Sequence, residues 1–180
     1  EMCIRDRSEL QTVARNDKIE LCGLIEEVLA DLEPLAQEKG VTLIQKSQST
    51  VDEKEENAGE GLMLTGSDIL IYRMLYNLVE NAIKYNVDDG WVRVSLDADH
   101  KFFYVTVADS GMGIPEDSID RIFERFYRVD KSHSREIGGT GLGLAITRST
   151  IAMHHGVIKV FSREGEGTTF SVRVPLSYIP

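Results

Sequence analysis

Four glycines fall within six positions at the start of GGTGLGLAI, residues 138–146, and this cluster constrains the fold more than any other feature. Glycine weakens a helix or strand that contains it, so glycines cluster where the backbone needs a positive φ or a close approach by another group. The residues that follow turn apolar in a way that predicts the start of a helix. Because N–H groups at a helix start attract anions, the segment predicts a phosphate-binding turn.

The composition is that of one soluble domain: 180 residues, 42% hydrophobic and 28% charged. The net charge of −10 would repel nucleic acid and anionic membranes, so no nucleic-acid partner is expected and any anion site must be local. No apolar run approaches the roughly 20 residues of a membrane span, and no export leader opens the chain. These features predict a cytoplasmic chain. Its cysteines, Cys3 and Cys22, lack metal-type spacing and are expected to be reduced thiols.

Periodicity in the first half predicts a helix over residues 24–35, which Pro34 would kink and Gly40 would end. Residues 41–46 predict a strand, and the acidic residues 47–61 predict a loop.

The second half alternates helices with hairpins. Ser67 is expected to cap a helix that runs to about Asn86. The later predicted elements are strands at 91–96 and 102–107, a helix at about 143–155, and strands at 157–161 and 168–174. This order predicts a two-layer α/β (α+β) sandwich, with a mixed, mostly antiparallel sheet and about three helices on one face.

One face of the predicted helix NLVENAIKYN carries an unusual polar stripe. At about 3.6 residues per turn, this stripe consists of Asn77, Asn81, Lys84 and Tyr85. A stripe facing solvent is the alternative interpretation, but asparagine lowers helix propensity and is a poor choice for one. Amide oxygens are hard ligands suited to Mg²⁺, and lysine offers a point charge to phosphate, so the stripe indicates a metal and phosphate site.

The segment DSGMGIP, residues 109–115, directly follows a predicted strand. Asp109 would lie at the strand end, with Gly111 and Gly113 letting the backbone approach a flat ligand. The alternative is an ordinary Asp-Gly turn. A buried carboxylate there could accept a hydrogen bond from the exocyclic amine of adenine, and would repel the carbonyl that guanine presents instead.

Between these motifs and the glycine cluster lies a basic segment in an acidic chain. Five cations fall in RIFERFYRVDKSHSRE, residues 121–136, and Phe123, Phe126 and Tyr127 would anchor it. Its length and the glycines after it predict a mobile lid over a polyphosphate, at about residues 116–138. Each arginine taken singly is better interpreted as solvated, but the group as a whole is not.

Together these stretches resemble the ATP-binding catalytic domain of sensor histidine kinases, in the superfamily that also holds gyrase-type topoisomerases and mismatch-repair ATPases. NLVENAIKYN resembles the asparagine box, DSGMGIP the first glycine box, and IFERFYR the phenylalanine box. GTGLGLAI resembles the second glycine box, and GEGTTFSV the last glycine-threonine element. The five motifs occur in the family's order between residues 67 and 174.

The resemblance implies ATP and Mg²⁺ as cofactors and assigns roles by position. Asn81, with Asn77, would hold Mg²⁺, and Lys84 and Tyr85 would contact the phosphate and ribose side. The expected catalytic residues are Glu80, Asn81 and Lys84. The adenine pocket is expected to use Asp109, Gly111, Gly113, Ile114 and Thr168. The phosphate contacts are expected from Arg128 and Lys131 of the lid and from Gly139, Thr140, Gly141, Leu142 and Gly143.

The resemblance also implies an ATP-dependent protein-histidine kinase of a two-component system that lacks its own phosphoacceptor. Residues 1–23 contain no histidine, and the four present (His100, His133, His154 and His155) are expected to be structural or solvated. Residues 1–20 would then be the end of a helical dimerisation region or a linker, with a connecting strand, and residues 21–180 the catalytic domain. The expected partners are the histidine-bearing dimerisation domain of the same protein and a response regulator, with the fragment itself monomeric. The whole protein would be a membrane-anchored sensor kinase with this domain in the cytoplasm.

Two alternatives remain open. The first is an ATPase of the same superfamily, which would use a glutamate one turn before the metal-binding asparagine to activate water. Asn77 stands at that position and cannot act as a base, which argues against hydrolysis as the main activity. The second is a non-catalytic module that binds nucleotide and signals through its lid.

Overall fold

The computed structural model describes residues 17–47, 63–129 and 141–176 of the chain. The helices are α1 (Leu21–Lys39), α2 (Asp68–Lys84) and α3 (Gly143–Met153), with a 3₁₀ helix at Glu116–Arg121. The strands are β1 (Asp17–Glu20), β2 (Thr42–Ser47), β3 (Met63–Gly66), β4 (Trp91–Ala98), β5 (Phe102–Asp109), β6 (Val157–Arg163) and β7 (Gly167–Pro175). No helix within these ranges is long and apolar enough to cross a membrane.

The main sheet has five strands in the order β2-β4-β5-β7-β6. Strand β2 runs parallel to β4, and every other neighbouring pair in this sheet is antiparallel. A separate two-stranded sheet pairs β1 with β3 antiparallel. The mixed, mostly antiparallel sheet predicted from the sequence is therefore confirmed.

The core lies between one face of the sheet and the helices. Alternate residues of the central strands point into it, because successive side chains of a strand face opposite sides. Phe103, Val105 and Val107 of β5 are fully buried, as are Val172 and Val174 of β7. Helix α2 packs against α1 on one side and α3 on the other, and over β4 and β5. This two-layer arrangement confirms the predicted fold class.

The helix ends follow the signals in the sequence closely. Helix α1 begins three residues before the predicted start and continues past Pro34 to Lys39, and Gly40 ends it in the left-handed conformation at φ 68°. The Ser67 hydroxyl accepts a hydrogen bond from the N–H of Leu70 at 3.4 Å, so the predicted cap of α2 is confirmed.

The sequence analysis did not predict that the short strands β1 and β3 pair with each other. In the β1–β3 sheet, Ile19 lies opposite Leu64, and both side chains are buried. Residues 17–20, which the sequence analysis assigned to the region before the catalytic domain, thus form a strand that pairs with β3. The predicted acidic loop lies outside the described residues except for Ser47, which ends β2.

Candidate functional site

The asparagine stripe of α2 lies against the start of α3. The side-chain amide of Asn77 donates a hydrogen bond to the carbonyl of Gly143, at 3.3 Å between Nδ2 and O. Gly143 is the first residue of α3, so the helix start after the glycine cluster meets the stripe. Asn81 follows Asn77 by one turn and is half-buried. The structure therefore brings together two motifs that lie more than 60 residues apart in the chain.

Asp109 occupies the end of β5, as the sequence predicts. Its Oδ1 atom accepts hydrogen bonds from the N–H of Gly111 at 2.8 Å and of Thr168 at 3.2 Å. Burial raises the pKa of this carboxyl to about 6, although the two backbone hydrogen bonds lower it. Both of these hydrogen bonds use Oδ1 of the carboxyl.

The turn after Asp109 is packed against the end of α2 and against the β6–β7 hairpin. The N–H of Met112 donates to the carbonyl of Tyr85 at 3.1 Å. A Cβ added at Gly111 would lie 2.5 Å from that same carbonyl oxygen. Gly113 has a φ of +70°, and a Cβ there would lie 2.2 Å from the carbonyl oxygen of Arg163. Both glycines are thus required by close backbone approach, and the turn connects Tyr85 to Asp109.

Ser162 belongs to this site although the sequence did not single it out. Its hydroxyl accepts a hydrogen bond from the N–H of Ile114 at 2.8 Å and lies 2.8 Å from the hydroxyl of Thr168. Thr168 is buried on the same strand face as Phe170, as predicted. The hairpin register, which pairs Ser162 with Thr168, is the signal that could have identified it.

The described part of the predicted lid is anchored at two of its three aromatic residues. The ring of Phe123 packs edge-on against that of Phe170, with centroids 6.4 Å apart. The hydroxyl of Tyr127 donates to that of Ser118 at 3.1 Å, and the Arg121 guanidinium lies over the Tyr127 ring. Phe126 is 70% exposed, so its prediction as an apolar anchor was wrong.

Phe126 instead makes a backbone contact with the glycine cluster. Its N–H donates to the carbonyl of Gly141 at 3.0 Å, and both residues have a positive φ, 64° and 74°. A Cβ added at Gly141 would lie 3.0 Å from the Cα of Phe126, so this crossing favours glycine. Arg128 and Leu142 are half-buried nearby in the chain. Lys131, Gly139, Thr140 and His133 lie outside the described residues.

The remaining predicted catalytic side chains form an ion pair on α2. The ammonium of Lys84 lies 3.1 Å from the Oε1 atom of Glu80, and both side chains are about one quarter exposed, at 24% and 29%. Lys84 follows Asn81 by three residues, and such positions are neighbours on a helix surface. The ion pair therefore attaches Glu80 to the asparagine stripe, of which Lys84 is a member.

His154 is structural, as predicted. Its Nε2 atom accepts a hydrogen bond from the N–H of Ser67 at 3.1 Å, and its Nδ1 atom lies 2.8 Å from the carbonyl oxygen of Thr150. His100 is exposed at the β4–β5 hairpin.

Comparison with known proteins identifies the family and the fold. Residues 66–178 match the family model described as histidine kinase-, DNA gyrase B-, and HSP90-like ATPase, and the chain belongs to this family. The catalytic domain of the histidine kinase ThkA has the same fold, with a TM-score of 0.72, 27% sequence identity, and coverage of 89% of this chain and 95% of that one. Full-length ShkA, solved in complex with AMPPNP, gives a TM-score of 0.73 at 26% identity and covers 91% of this chain and 31% of its own.

Among curated relatives, the sensor histidine kinase RppB of Synechocystis sp. is 41% identical over 115 residues, or 64% of this chain. The sensor histidine kinase WalK of Bacillus subtilis is 43% identical over 107 residues, or 58% of this chain. These matches cover only 25% and 18% of the length of the two relatives. The similarity therefore identifies a catalytic domain of the kind that sensor histidine kinases carry within longer chains.

Proposed function

We propose that this domain binds Mg-ATP and donates the γ-phosphoryl group to a histidine on a separate dimerisation domain. One observation carries the proposal: the asparagine stripe of α2, the carboxyl of Asp109 and the start of α3 border one region of a histidine kinase fold. The hydrogen bonds from Asn77 to Gly143 and from Met112 to Tyr85 tie the three together.

Asp109 would select adenine. With Oδ1 occupied by two backbone N–H groups, Oδ2 can accept a hydrogen bond from the exocyclic amine of the base. Thr168 and Ile114, held by Ser162, would support the base from the hairpin side. Gly111 and Gly113 would fix the shape of this pocket, because their missing side chains let the turn pack on the carbonyls of Tyr85 and Arg163.

The donor chemistry of α2 fits a magnesium ion. Asn77 uses its amide nitrogen to bind Gly143, which leaves the amide oxygen as a hard ligand, and Asn81 offers a second amide one turn later. Mg²⁺ prefers oxygen ligands and usually takes only one or two from the protein, with substrate phosphates and water completing the set. When bound, it would neutralise charge on the triphosphate. Lys84 would add a point charge, and the N–H groups at the start of α3 would hold phosphate oxygens.

The chain's own residues supply position and charge rather than the nucleophile. Phosphoryl transfer is catalysed mainly by positioning and electrostatic stabilisation, so a domain that holds ATP can serve a nucleophile carried elsewhere. His154 has both ring nitrogens engaged in the fold and is not placed to accept a phosphoryl group. The phosphoacceptor is therefore expected on the dimerisation domain, with a response regulator receiving the phosphoryl group next. The domain would work on the cytoplasmic side of a membrane-anchored sensor.

The ATPase alternative is less favoured by the contacts on α2. Water activation would need a carboxylate one turn before Asn81, where Asn77 donates its amide hydrogen to Gly143 instead. Glu80, the neighbouring acid, is paired with Lys84 at 3.1 Å.

The test is to incubate the chain with γ-labelled ATP, Mg²⁺ and a separately expressed histidine-bearing hairpin domain of a related kinase. Acid-labile label on the hairpin would support the kinase. Release of free phosphate alone would support the ATPase, and nucleotide binding without either product would support the signalling module. Asp109→Asn should abolish the labelling, while Arg73→Ala, an exposed change on the outer side of α2, should leave it unchanged.

A further inference from the structure

The main sheet has a second face, on the side away from the three helices. We call it the outer face; it runs from Arg93 and Ser95 of β4 to Lys159 and Phe161 of β6, at strand positions that alternate with the core positions. In β4, β5 and β6 none of these positions is buried. Phe161 and Val157, on the edge strand β6, are 62% and 43% exposed. The domain therefore offers apolar side chains on a surface that its own helices do not use.

One row of the outer face crosses all five strands. The strand registers place five residues side by side in the order Lys46, Ser95, Thr106, Ser171 and Lys159. The two lysines stand on the edge strands β2 and β6, and three short hydroxyl side chains lie between them. Short side chains between long ones leave a shallow groove in the middle of the sheet.

This groove widens into a depression between β6 and β7. The depression has a volume of about 160 Å³ and is lined by Val157, Lys159, Ser171 and Arg173. Two cationic groups and a hydroxyl are the donors that a carboxylate needs, and hydrogen bonds of this charged kind are stronger than neutral ones. Val157 supplies an apolar edge, and Phe161 follows Lys159 on the same face of β6. The depression therefore fits an acidic side chain that has an apolar neighbour.

The outer face is basic although the chain is acidic. Among the described strand positions, its cations are Lys46, Arg93, Lys159, Arg163 and Arg173. The carboxylate at those same positions is Asp97. The whole chain, in contrast, has 30 acidic and 20 basic side chains. An acidic partner would be attracted to the outer face and repelled by the rest of the surface.

Two of these cations are held in place by aromatic rings. The Arg93 guanidinium lies 4.6 Å from the centroid of the Trp91 ring, and the Arg173 guanidinium lies 4.9 Å from that of Phe102. Side chains that are already held lose less freedom when a partner binds. The same contacts disfavour nucleic acid, because bases bind by stacking on aromatic rings and a guanidinium already covers a face of each ring.

We propose that the outer face between β6 and β7 docks an acidic segment of a partner protein, which places a carboxylate beside Lys159 and Arg173. An apolar side chain of the same segment packs on Val157 and Phe161. Charge directs the partner to this face, and burial of the two apolar side chains adds affinity. The surface lies on the side of the sheet away from α2, so the proposal does not depend on nucleotide binding.

The test titrates the chain into a fluorescein-labelled peptide of glutamates around one phenylalanine, at about 0.15 M salt, where distant charges are screened. Lys159→Glu with Arg173→Glu should weaken binding at least about tenfold, because two charge-assisted contacts become repulsive. Phe161→Ser alone should weaken it about threefold or more. The matched control, Lys18→Glu with Arg73→Glu, makes the same change in net charge at exposed positions outside the main sheet. It should stay within about twofold of the parent.

The remaining measurements keep the proposal falsifiable. If the double variant does not fold, Lys159→Gln replaces it, with an expected loss of about threefold. Amide shifts of the parent on titration with the peptide should be confined to β5, β6 and β7. Equal weakening by the control variant, or shifts centred on the helices, would overturn the proposal. Tighter binding of single-stranded DNA than of the peptide would assign the face to nucleic acid instead. Self-association of the parent that Lys159→Gln abolishes would assign it to a second copy of the chain, and the proposal would again be wrong.

Discussion

His154, which ends α3, accepts a hydrogen bond at its Nε2 atom from the N–H of Ser67, which caps α2. The Nδ1 atom faces the carbonyl oxygen of Thr150, so that nitrogen carries the proton and the ring is neutral. Burial of the ring lowers the pKa of His154. One imidazole therefore joins the end of one site helix to the start of the other, and only in its neutral form.

This link predicts a loss of stability in mild acid. Because the folded pKa of His154 is lower than the unfolded value of 6.5, the unfolded chain binds the proton more tightly. The stabilisation that the neutral His154 ring provides is present above pH 6.5 and is lost as the pH falls from 6.5 through the lower pKa of the folded state. We expect the free energy of unfolding, measured in urea at pH 7.5 and 5.5, to fall less in His154→Ala than in the parent. His100→Ala, a change at an exposed hairpin position, should keep the parent's slope; equal slopes in all three chains would contradict the assignment.

Gly66→Ala should destabilise the fold through the same histidine. A Cβ at residue 66 would lie 2.5 Å from the Cδ2 atom of His154 and 2.6 Å from its Nε2 atom, closer than carbon atoms approach. We expect a loss of about 1–3 kcal/mol in the free energy of unfolding, typical of an overpacked contact. Repeating the substitution in a His154→Ala background should remove most of the effect. A loss of the same size in both backgrounds would show that the ring is not the cause.

Asp109→Asn should separate binding from stability. Burial raises the pKa of Asp109 to about 6, so ionisation of this carboxyl destabilises the folded state. The free energy of unfolding therefore falls as the pH rises from the unfolded pKa of 3.8 through 6. Asparagine keeps an oxygen for Gly111 and Thr168 but presents an NH₂ donor to the adenine amine. We expect the variant to be more stable than the parent at pH 7.5, by about 1 kcal/mol, and to bind Mg-ATP at least about tenfold more weakly. A destabilised variant with parental affinity would refute both expectations.

The parent's affinity for Mg-ATP should itself depend on pH. In the proposed function the carboxylate form of Asp109 accepts the adenine amine, and the share of this form falls as the pH drops below about 6. Titration calorimetry at pH 7.5 and 5.5 should show weaker binding at the lower pH. Because the phosphates also titrate near this range, inorganic tripolyphosphate serves as the control ligand. A pH dependence of the same size for both ligands would remove Asp109 as its cause.

Asn77→Ala should loosen the contact between α2 and α3. The carbonyl of Gly143 would lose its side-chain donor, which is expected to cost about 1 kcal/mol. Hydrogen exchange in the first turn of α3 should become faster, while exchange in β5 stays unchanged. Arg73→Ala, an exposed change on the same helix, provides the control. Unchanged exchange at the start of α3 would show that the amide of Asn77 does not hold it.

The sequence was informative where local chemistry decides the structure. Ser67 caps the start of α2 and Gly40 ends α1, as predicted, and Asp109 falls at the last position of β5. Pairing between distant segments left weaker signals. Strands β1 and β3 have four residues each, too few to show a period, and only their pairing buries Ile19 against Leu64.

Within the candidate site too, features set by local sequence could be predicted, and features set by the packing of distant segments could not. The stripe of α2 follows from helical spacing, but the bond from Asn77 to Gly143 depends on how two helices pack. Ser162 enters the site only through the register of a hairpin. Phe126 lies in an apolar-looking motif, yet its left-handed backbone directs the ring outward, a conformation that no side-chain pattern reveals.

The parallel pairing of β2 with β4 determines how α2 is held in the domain. Parallel neighbours need a crossover connection, and here that connection contains α2 with both asparagines. The helix is thus joined at its N-terminal end to the β1–β3 sheet and at its C-terminal end to β4 of the main sheet, so both of its ends are held by paired strands. Under the proposed function, a nucleotide would therefore enter and leave past the chain between β5 and α3, where Phe126 contacts Gly141.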